Sequence, residues 1–260
     1  MEKHLIFTNG RSGSNYLSNT LNLSPECLNY GEVLGEWTIP YKLLGKHFKK
    51  AGNTEKYLEI LYSNRCYFEL AQLYSFYSHV KGKRPVNYKK HKQIKSIGIK
   101  DFLVTMERQS CFDYFQQNTD IKIIYLHRDN ILQRYISGVF MGLSRTAVSY
   151  KAMNTGTTVL DTDEMLKKLN IYEQETQRGK DFIGSLNGHK VLDIEYQDYL
   201  GDPGATRRWN AVIFDFLDIK PVTEMSEQRK INVKPLKESI ENYDELLDAI
   251  RGTQYEKYLY

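Results

Sequence analysis

The sequence is poor in cysteine and has no long apolar run. Its three cysteines, Cys27, Cys66 and Cys111, lie far apart and form no Cys-x-x-Cys pair, so the sequence indicates neither a disulfide framework nor a zinc site. No apolar run approaches the roughly 20 residues of a membrane-spanning helix, and we expect no membrane span. Because the first apolar run already begins at Leu5, no signal peptide is expected, and a cytoplasmic location is predicted.

Linkers and nucleic-acid motifs are also lacking. No stretch rich in proline, glycine and serine divides the chain, which favours one domain over residues 1–260. The formal net charge of +4 is compatible both with plain solubility and with attraction of an anionic ligand. No nucleic-acid-binding motif accompanies the basic residues, so we expect no nucleic-acid partner.

Residues 5–21 carry the most informative pattern. An apolar run ends at Asn9-Gly10, the segment Arg11-Ser12-Gly13-Ser14 follows, and a helical pattern begins at Asn15-Tyr16. This order predicts a strand, a tight loop and a helix. A helix N-terminus presents free backbone N–H groups and the positive end of its dipole. We therefore expect this loop to bind an anion, most simply a phosphate.

The loop differs from the phosphate loop of the kinases. A kinase loop has Lys-Ser/Thr directly after its last glycine, whereas Gly13 is followed by Ser14-Asn15 and the cation Arg11 precedes it. No residue is placed to hold a magnesium ion, and we expect no metal. Two alternatives stay open: a P-loop kinase or another nucleoside-triphosphate enzyme, and a non-catalytic module that binds a nucleotide or assembles with another protein.

Strands and helices are predicted to alternate along the chain. Four short apolar runs predict the strands Leu5–Thr8, Ile97–Ile99, Ile121–Leu126 and Val191–Ile194. Helical patterns lie between and after them, one of them from a capping pattern at Asp161 to a stop at Gly188. The alternation favours an α/β fold, a P-loop-like arrangement of three layers around a mainly parallel sheet. In such sheets ligands bind beyond the carboxyl ends of the strands, where the Arg11 loop would lie.

Residues 33–95 depart from this alternation. Tyr57–Val80 is rich in tyrosine and phenylalanine and is predicted to be helical. Lys81–Lys95 carries seven Lys or Arg and no acidic residue, which favours a solvated loop. We interpret residues 33–95 as a helical insertion that either covers the site or forms a subunit contact. A homodimer is therefore left open.

A second basic residue is predicted at the same edge of the sheet. The apolar run Ile121–Leu126 is followed by His127-Arg128 and then by a helical segment with Ser137. The end of the strand delivers Arg128 to the carboxyl edge, and Ser137 can add a neutral donor to the same anion.

The two segments together resemble the phosphate motifs of sulfotransferases that use 3′-phosphoadenosine 5′-phosphosulfate (PAPS), in particular bacterial carbohydrate sulfotransferases of the nodulation-factor and trehalose type. The resemblance implies that Arg11–Tyr16 holds the 5′-phosphosulfate and that Arg128 and Ser137 hold the 3′-phosphate. Arg128 and Ser137 are nine positions apart, where cytosolic members have eight. Arg229-Lys230 occupies the place of a late basic loop that closes over the nucleotide.

Three further segments are similar to the same family. Gly31-Glu32 resembles its Gly-Glu element, Gly98-Ile99-Lys100 its Gly-x-Lys strand, and Glu195–Pro203 a segment that ends in Asp-Pro. The resemblance implies Glu32 as the general base for an acceptor, with His127 as the fallback, and Lys100 as a cation that neutralises the sulfonate. The implied reaction moves a sulfuryl group to a hydroxyl or an amine of a small molecule or glycan.

Overall fold

A sheet of five parallel strands lies at the centre of this computed structural model, which describes residues 1–82, 86, 88–144, 156–224, 226 and 235–259. The strands are β1 (Glu2–Thr8), β2 (Cys27–Asn29), β3 (Ser96–Phe102), β4 (Ile121–His127) and β5 (Val191–Glu195). Their order across the sheet is β2-β3-β1-β4-β5.

Helices surround the sheet. In the described residues they are α1 (Ser14–Leu23), α2 (Lys46–Lys50), α3 (Thr54–Ser63), α4 (Arg65–Lys81), α5 (Leu103–Gln109), α6 (Phe112–Gln117), α7 (Ile131–Ser144), α8 (Thr162–Gly184), α9 (Tyr196–Leu200), α10 (Pro203–Phe216), α11 (Leu236–Ser239) and α12 (Tyr243–Ile250). A π-helical turn spans Tyr41–Gly45, and 3₁₀ turns span His91–Gln93 and Glu256–Tyr258.

The two faces of the sheet bury alternate side chains of the same strands. On β1, Leu5 and Phe7 join a core with α3, α5, α6 and the end of α8, whereas Ile6 joins a core with α1, α9 and α10. Successive side chains of a strand point to opposite faces, so both faces are covered and the strands form near-continuous apolar runs. This arrangement confirms the predicted three-layer α/β fold class, and all five strands run parallel.

The four predicted strands are confirmed, and each extends beyond its apolar run. Strand β2 was missed because its three residues are too few to show a period. The prediction that Tyr57–Val80 is helical is confirmed, and the segment forms two helices, because Asn64 ends α3 and begins α4. The side chain of Asn64 accepts a hydrogen bond of 2.9 Å from the N–H of Tyr67, as an N-cap residue does.

The long helix α8 was predicted correctly at its start and wrongly at its end. The carboxylate of Asp161 caps it by accepting a hydrogen bond of 2.8 Å from the N–H of Glu164. The helix ends at Gly184, whereas the prediction placed the stop at Gly188. Gly188 lies in the following turn with a φ of 79°, so this glycine serves the turn into β5.

Helices α2, α3 and α4 lie within the predicted insertion, residues 33–95. Helix α3 forms part of the layer on the sheet, since the hydroxyl of Tyr62 donates to the carbonyl of His4 at 3.1 Å. The prediction of a solvated loop over Lys81–Lys95 was wrong at Lys89, because this residue is buried. Its ammonium donates to the carbonyls of Ser24 and Cys27, and burial lowers its pKa to about 8.

The strands β1 and β4 are neighbours in the sheet, and the connections that follow them lead to opposite sides of it. The connection after β1 leads through α1 to β2 on one side, and the connection after β4 leads to β5 on the other. Ligands of open parallel sheets bind in the crevice at such a point. None of the helices in the described residues is both long and apolar enough to cross a membrane.

Candidate functional site

The loop after β1 turns sharply into α1. Arg11 and Gly13 have φ angles of 56° and 81°, in the left-handed region that favours glycine. A Cβ on Gly13 would lie 2.3 Å from Cδ1 of Leu200, so this position combines a positive φ with a close approach. A buried hydrogen bond of 2.6 Å joins the hydroxyls of Thr8 and Ser12 and closes the loop.

The first turn of α1 is open towards this loop. The N–H of Leu17 bonds to the carbonyl of Gly13 at 3.1 Å, and the N–H groups before it have no carbonyl within the helix to bond to. Gly13 has no side chain to cap them, and the first turn holds no acidic residue. Ser14, Asn15 and Tyr16 therefore bring backbone donors and a positive helix dipole to this edge of the sheet.

Arg11 reaches from the loop to α7. Its Nε and Nη2 donate to Oγ of Ser137 at 3.2 and 3.1 Å, and its Nη1 lies 3.2 Å from Sδ of Met141. Helix α7, which carries Ser137 and Met141, is capped at its start by Asn130, whose side chain accepts a hydrogen bond of 2.9 Å from the N–H of Gln133. Burial lowers the pKa of Arg11, which is the electrostatic cost of holding a guanidinium away from water.

Arg128 lies beside Arg11 at the end of β4. Its guanidinium stacks over the ring of Tyr196 at 4.3 Å and donates from Nη2 to Gln133 at 2.8 Å. Its Nη1 donates to the carbonyl of Arg11 at 3.5 Å. Its Nε is buried and has no acceptor among the described residues. Burial lowers the pKa of Arg128, and the positive charge of Arg11 acts in the same direction.

Two neighbouring guanidiniums thus lie at one edge of the sheet, and the charge of Glu195 acts on Arg128 from a distance and partly offsets the effect of burial. In the part of the chain that the structure describes, neither Arg11 nor Arg128 forms an ion pair. Ser137 contacts Arg11, and no hydrogen bond among the described residues joins it to Arg128. The arrangement is electrostatically suited to an anion that would accept from both arginines and the hydroxyl.

Lys100 connects α1 to the segment after β2. Its side chain is 1% exposed, and its Nζ donates to Asn15 at 2.7 Å and to Oε1 of Glu32 at 2.5 Å. The other oxygen of Glu32 accepts a hydrogen bond of 2.8 Å from the indole N–H of Trp37. These two contacts hold Glu32 at the same edge of the sheet as the loop after β1.

Asp101 supports this arrangement and was missed by the sequence analysis. One oxygen of its buried carboxylate accepts from the N–H groups of Val33 and Leu34 at 3.0 and 2.8 Å, and the other from the N–H of Phe102 at 3.0 Å. Burial raises the pKa of Asp101, and these hydrogen bonds offset part of the shift. The only signal in the sequence was its place at the end of a strand, directly after Lys100.

A cavity of about 400 Å³ opens beside the loop. Its lining includes Arg11, Trp37, Phe102, Arg134, Tyr172 and Glu175. Arg134 lies 4.0 Å above the ring of Tyr172 and is ion-paired with Glu175 at 2.5 Å. The sequence analysis did not find Trp37, Arg134 or Glu175, because each belongs to an element whose position depends on tertiary packing.

Two predicted side chains are engaged elsewhere. The ring of Tyr16 packs edge-to-face on Tyr199, with 6.1 Å between centroids, so this residue contributes to the edge only through its backbone. His127 pairs with Asp129 through Nδ1 and with Asp193 through Nε2, each at 2.9 Å. Burial alone would lower the pKa of His127, but the two carboxylates outweigh it and raise the pKa.

The predicted residues Arg229 and Lys230 lie outside the described residues. No protein-family model matches this chain, and no curated protein matches it. The sulfotransferase resemblance drawn from the motifs stays a prediction, together with its cofactor and its reaction.

Proposed function

We propose that this protein is a sulfotransferase that uses PAPS and transfers its sulfuryl group to a hydroxyl or an amine of a small molecule or glycan. The observation that carries the proposal is the cluster of Arg11, Ser137 and Arg128 at the adjoining carboxyl ends of β1 and β4. The anion-binding chemistry of the cluster and the order of the two motifs along the chain point to the same ligand.

The residues of the cluster fit the two anionic ends of such a nucleotide. The N-terminal turn of α1 and Arg11 would hold the 5′-phosphosulfate end. Arg128, whose buried Nε lacks an acceptor within the described part of the chain, would hold the 3′-phosphate together with the Ser137 hydroxyl. An arginine suits this role because its planar guanidinium stays charged and binds phosphate through two N–H groups.

PAPS, when bound, would supply a sulfuryl group on a good leaving group. Negative charge then develops on the oxygen that the departing nucleotide keeps. Arg11 and the N–H groups of Ser14–Tyr16 would stabilise that charge, and fixed donors of this kind act selectively on the transition state. Arg11 acts by charge and hydrogen bonding, since its high pKa makes it a poor proton donor.

Glu32 would accept the proton of the acceptor group. Its carboxylate has bonds to Lys100 and Trp37, and an ionised carboxylate has about four acceptor positions, so about two remain for the acceptor. Lys100 donates to both Glu32 and Asn15 and so would fix Glu32 relative to α1. In this role Lys100 is a positioning residue.

The cavity beside the loop would hold the acceptor. The rings of Trp37, Phe102 and Tyr172 offer apolar faces to a sugar or another ring, and Arg11 borders the same space. The cavity volume of about 400 Å³ falls within the usual range for small-molecule sites.

The experiment is an assay with PAPS radiolabelled in its sulfuryl group and a panel of sugar, phenol and amine acceptors. We expect label on at least one acceptor and equal release of adenosine 3′,5′-bisphosphate, both strongly reduced in Arg11→Ala. Binding of PAPS without transfer or hydrolysis would favour the non-catalytic module. Phosphate transfer from ATP with magnesium would favour the kinase.

A further inference from the structure

Helix α4 leaves a large apolar face uncovered by the rest of the described chain. Six of its side chains are between 48% and 64% exposed, namely Leu70, Leu73, Tyr74, Phe76, Tyr77 and Val80. We call these six residues the α4 face. The helix buries only Phe68 and Gln72 on its inner side.

The spacing of the α4 face is that of a helix–helix seam. Leu70, Leu73, Tyr77 and Val80 follow one another at intervals of three, four and three residues, as the a and d positions of a heptad do. Tyr74 and Phe76 flank this seam on either side. Such a stripe on a surface helix normally contacts a second apolar surface.

The area of the α4 face is large for a free surface. An aromatic side chain carries about 150–250 Å², so three half-exposed aromatic residues present on the order of 300 Å². The three aliphatic residues add a comparable amount, and the largest apolar patch on a typical monomer is only about 300–600 Å² in total. A standard protein interface takes about 800 Å² from each partner, which the α4 face and its rim can supply.

We propose that the α4 face binds the α4 face of a second copy of this chain, with the two helices antiparallel. The face is self-complementary: Leu70 would pack against the partner's Val80, and Leu73 against the partner's Tyr77. Positions 70 and 80 have Ser75 as their midpoint, and so do positions 73 and 77. A single two-fold axis at Ser75 therefore relates both pairs of contacts, as an isologous dimer requires.

The helix dipoles favour the antiparallel orientation over the parallel one. Parallel helices would place Arg65 beside the partner's Arg65, Lys81 beside the partner's Lys81, and like dipole ends together. The antiparallel pair separates the two Lys81 residues by about 18 Å along the helix axis, at 1.5 Å per residue. It also places Lys81 level with the partner's Glu69, because positions 69 and 81 have 75 as their midpoint.

The test is the mass of the full chain in solution by sedimentation equilibrium at micromolar concentrations. We expect twice the 30.5 kDa of one chain for the wild type, and a single chain for the variant L73K/Y77K. The matched control is I171K/V212K, which places two lysines at exposed apolar positions of α8 and α10 and should remain dimeric. Circular dichroism confirms that each variant is folded; if L73K/Y77K is not, L70A/V80A takes its place with the same expected loss of the dimer.

A charge-pairing experiment tests the predicted contact between Leu73 and the partner's Tyr77. L73E/Y77E and L73K/Y77K should each be monomeric alone and should form a heterodimer when mixed, because residue 73 of one chain faces residue 77 of the other. Monomeric wild-type protein, a dimer unaffected by L73K/Y77K, or a mixture that stays monomeric would each overturn the proposal. So would a monomer that uses the α4 face to bind anionic lipid vesicles.

Discussion

The guanidinium of Arg11 donates two hydrogen bonds to the hydroxyl of Ser137, although the two residues are 126 positions apart in the chain. The contact joins the loop after β1 to the helix after β4. It is possible because β1 and β4 are neighbours in the sheet, so that residues following their carboxyl ends converge. The predictions below concern this cluster, the carboxylate beside it, and the strand that carries the loop.

Replacing Arg11 by alanine should lower the turnover number about a hundredfold or more, comparable to the loss of an oxyanion-hole donor. Binding of adenosine 3′,5′-bisphosphate should change much less, because Arg128 remains. Steady-state kinetics with PAPS measure the first quantity and calorimetry the second. Arg251→Ala, an exposed arginine on the surface, is the matched control and should leave both unchanged. An unaltered turnover number in Arg11→Ala would remove this residue from the mechanism.

Replacing Arg128 by alanine should act mainly on affinity for the nucleotide. We expect the dissociation constant of adenosine 3′,5′-bisphosphate to rise roughly 10- to 100-fold, which corresponds to the roughly 1.5–3 kcal/mol of a hydrogen bond to a charged group. Adenosine 5′-monophosphate, which lacks the 3′-phosphate, should bind wild type and variant about equally. A loss that is the same for both nucleotides would show that Arg128 does not bind the 3′-phosphate.

Replacing Glu32 by glutamine should lower turnover roughly 100- to 10,000-fold, the usual contribution of a general base. The single carbonyl oxygen of glutamine can still accept a hydrogen bond from Lys100, while its NH2 group cannot accept the bond from Trp37. We expect nucleotide binding to persist, because neither contact belongs to the cluster of Arg11, Ser137 and Arg128. Glu36→Gln, an exposed acid four residues away, is the control and should be fully active. Loss of bisphosphate binding together with turnover would indicate that Glu32 has a structural role only.

The stability of the fold should decrease in mild acid because of His4. Its ring is fully buried between Ser96 and Asn29, and burial, followed by the charges of Lys122 and Lys89, lowers its pKa to about 3. The folded-state pKa lies below the unfolded value of about 6.5. The contribution of the neutral ring is therefore complete above pH 6.5 and is lost as the pH falls towards 3.

At pH 5 this loss should amount to roughly 2 kcal/mol of the free energy of unfolding, since each pH unit is worth about 1.4 kcal/mol. Urea unfolding at pH 7.5 and pH 5 measures the difference. His4→Gln should show a smaller loss between the two pH values than the wild type. His47→Gln, which replaces an exposed histidine, should keep the wild-type loss. Equal losses in His4→Gln and wild type would contradict the assignment.

The sequence predicted the layers of the fold better than the details of the site. A fully buried strand such as Ile121–His127 can be recognised in the sequence as an apolar run, and Arg11 and Arg128 each lie shortly after such a run. The contact between Arg11 and Ser137, in contrast, depends on the pitch and position of α7. Asp101 is a buried carboxylate with four donors, of which Phe102 and Thr105 lie within four positions of it and Val33 and Leu34 lie 68 and 67 positions away. The sequence gives no sign of the contact with Val33 and Leu34.

The division between α3 and α4 at Asn64 shows a second limit of prediction from the sequence. Aromatic residues run through Tyr57–Val80 without a clear change of composition, and a single capping asparagine divides the segment into a helix that packs on the sheet and one that exposes the α4 face. A lone asparagine within a helical pattern is also tolerated in many helices. Tertiary packing decides between the two outcomes.

The most direct test of the central claim is thermal unfolding of the protein with adenosine 3′,5′-bisphosphate, compared with ATP plus magnesium. At a hundredfold excess over its dissociation constant, a bound ligand adds about 2.7 kcal/mol, which for a chain of this length raises the Tm by roughly 5–10 °C. We predict this rise with the bisphosphate for the wild type and Arg251→Ala, and a rise smaller by about half or more in Arg128→Ala at the same ligand concentration. A rise with ATP and magnesium alone, or no rise with either nucleotide, would contradict the proposed PAPS site.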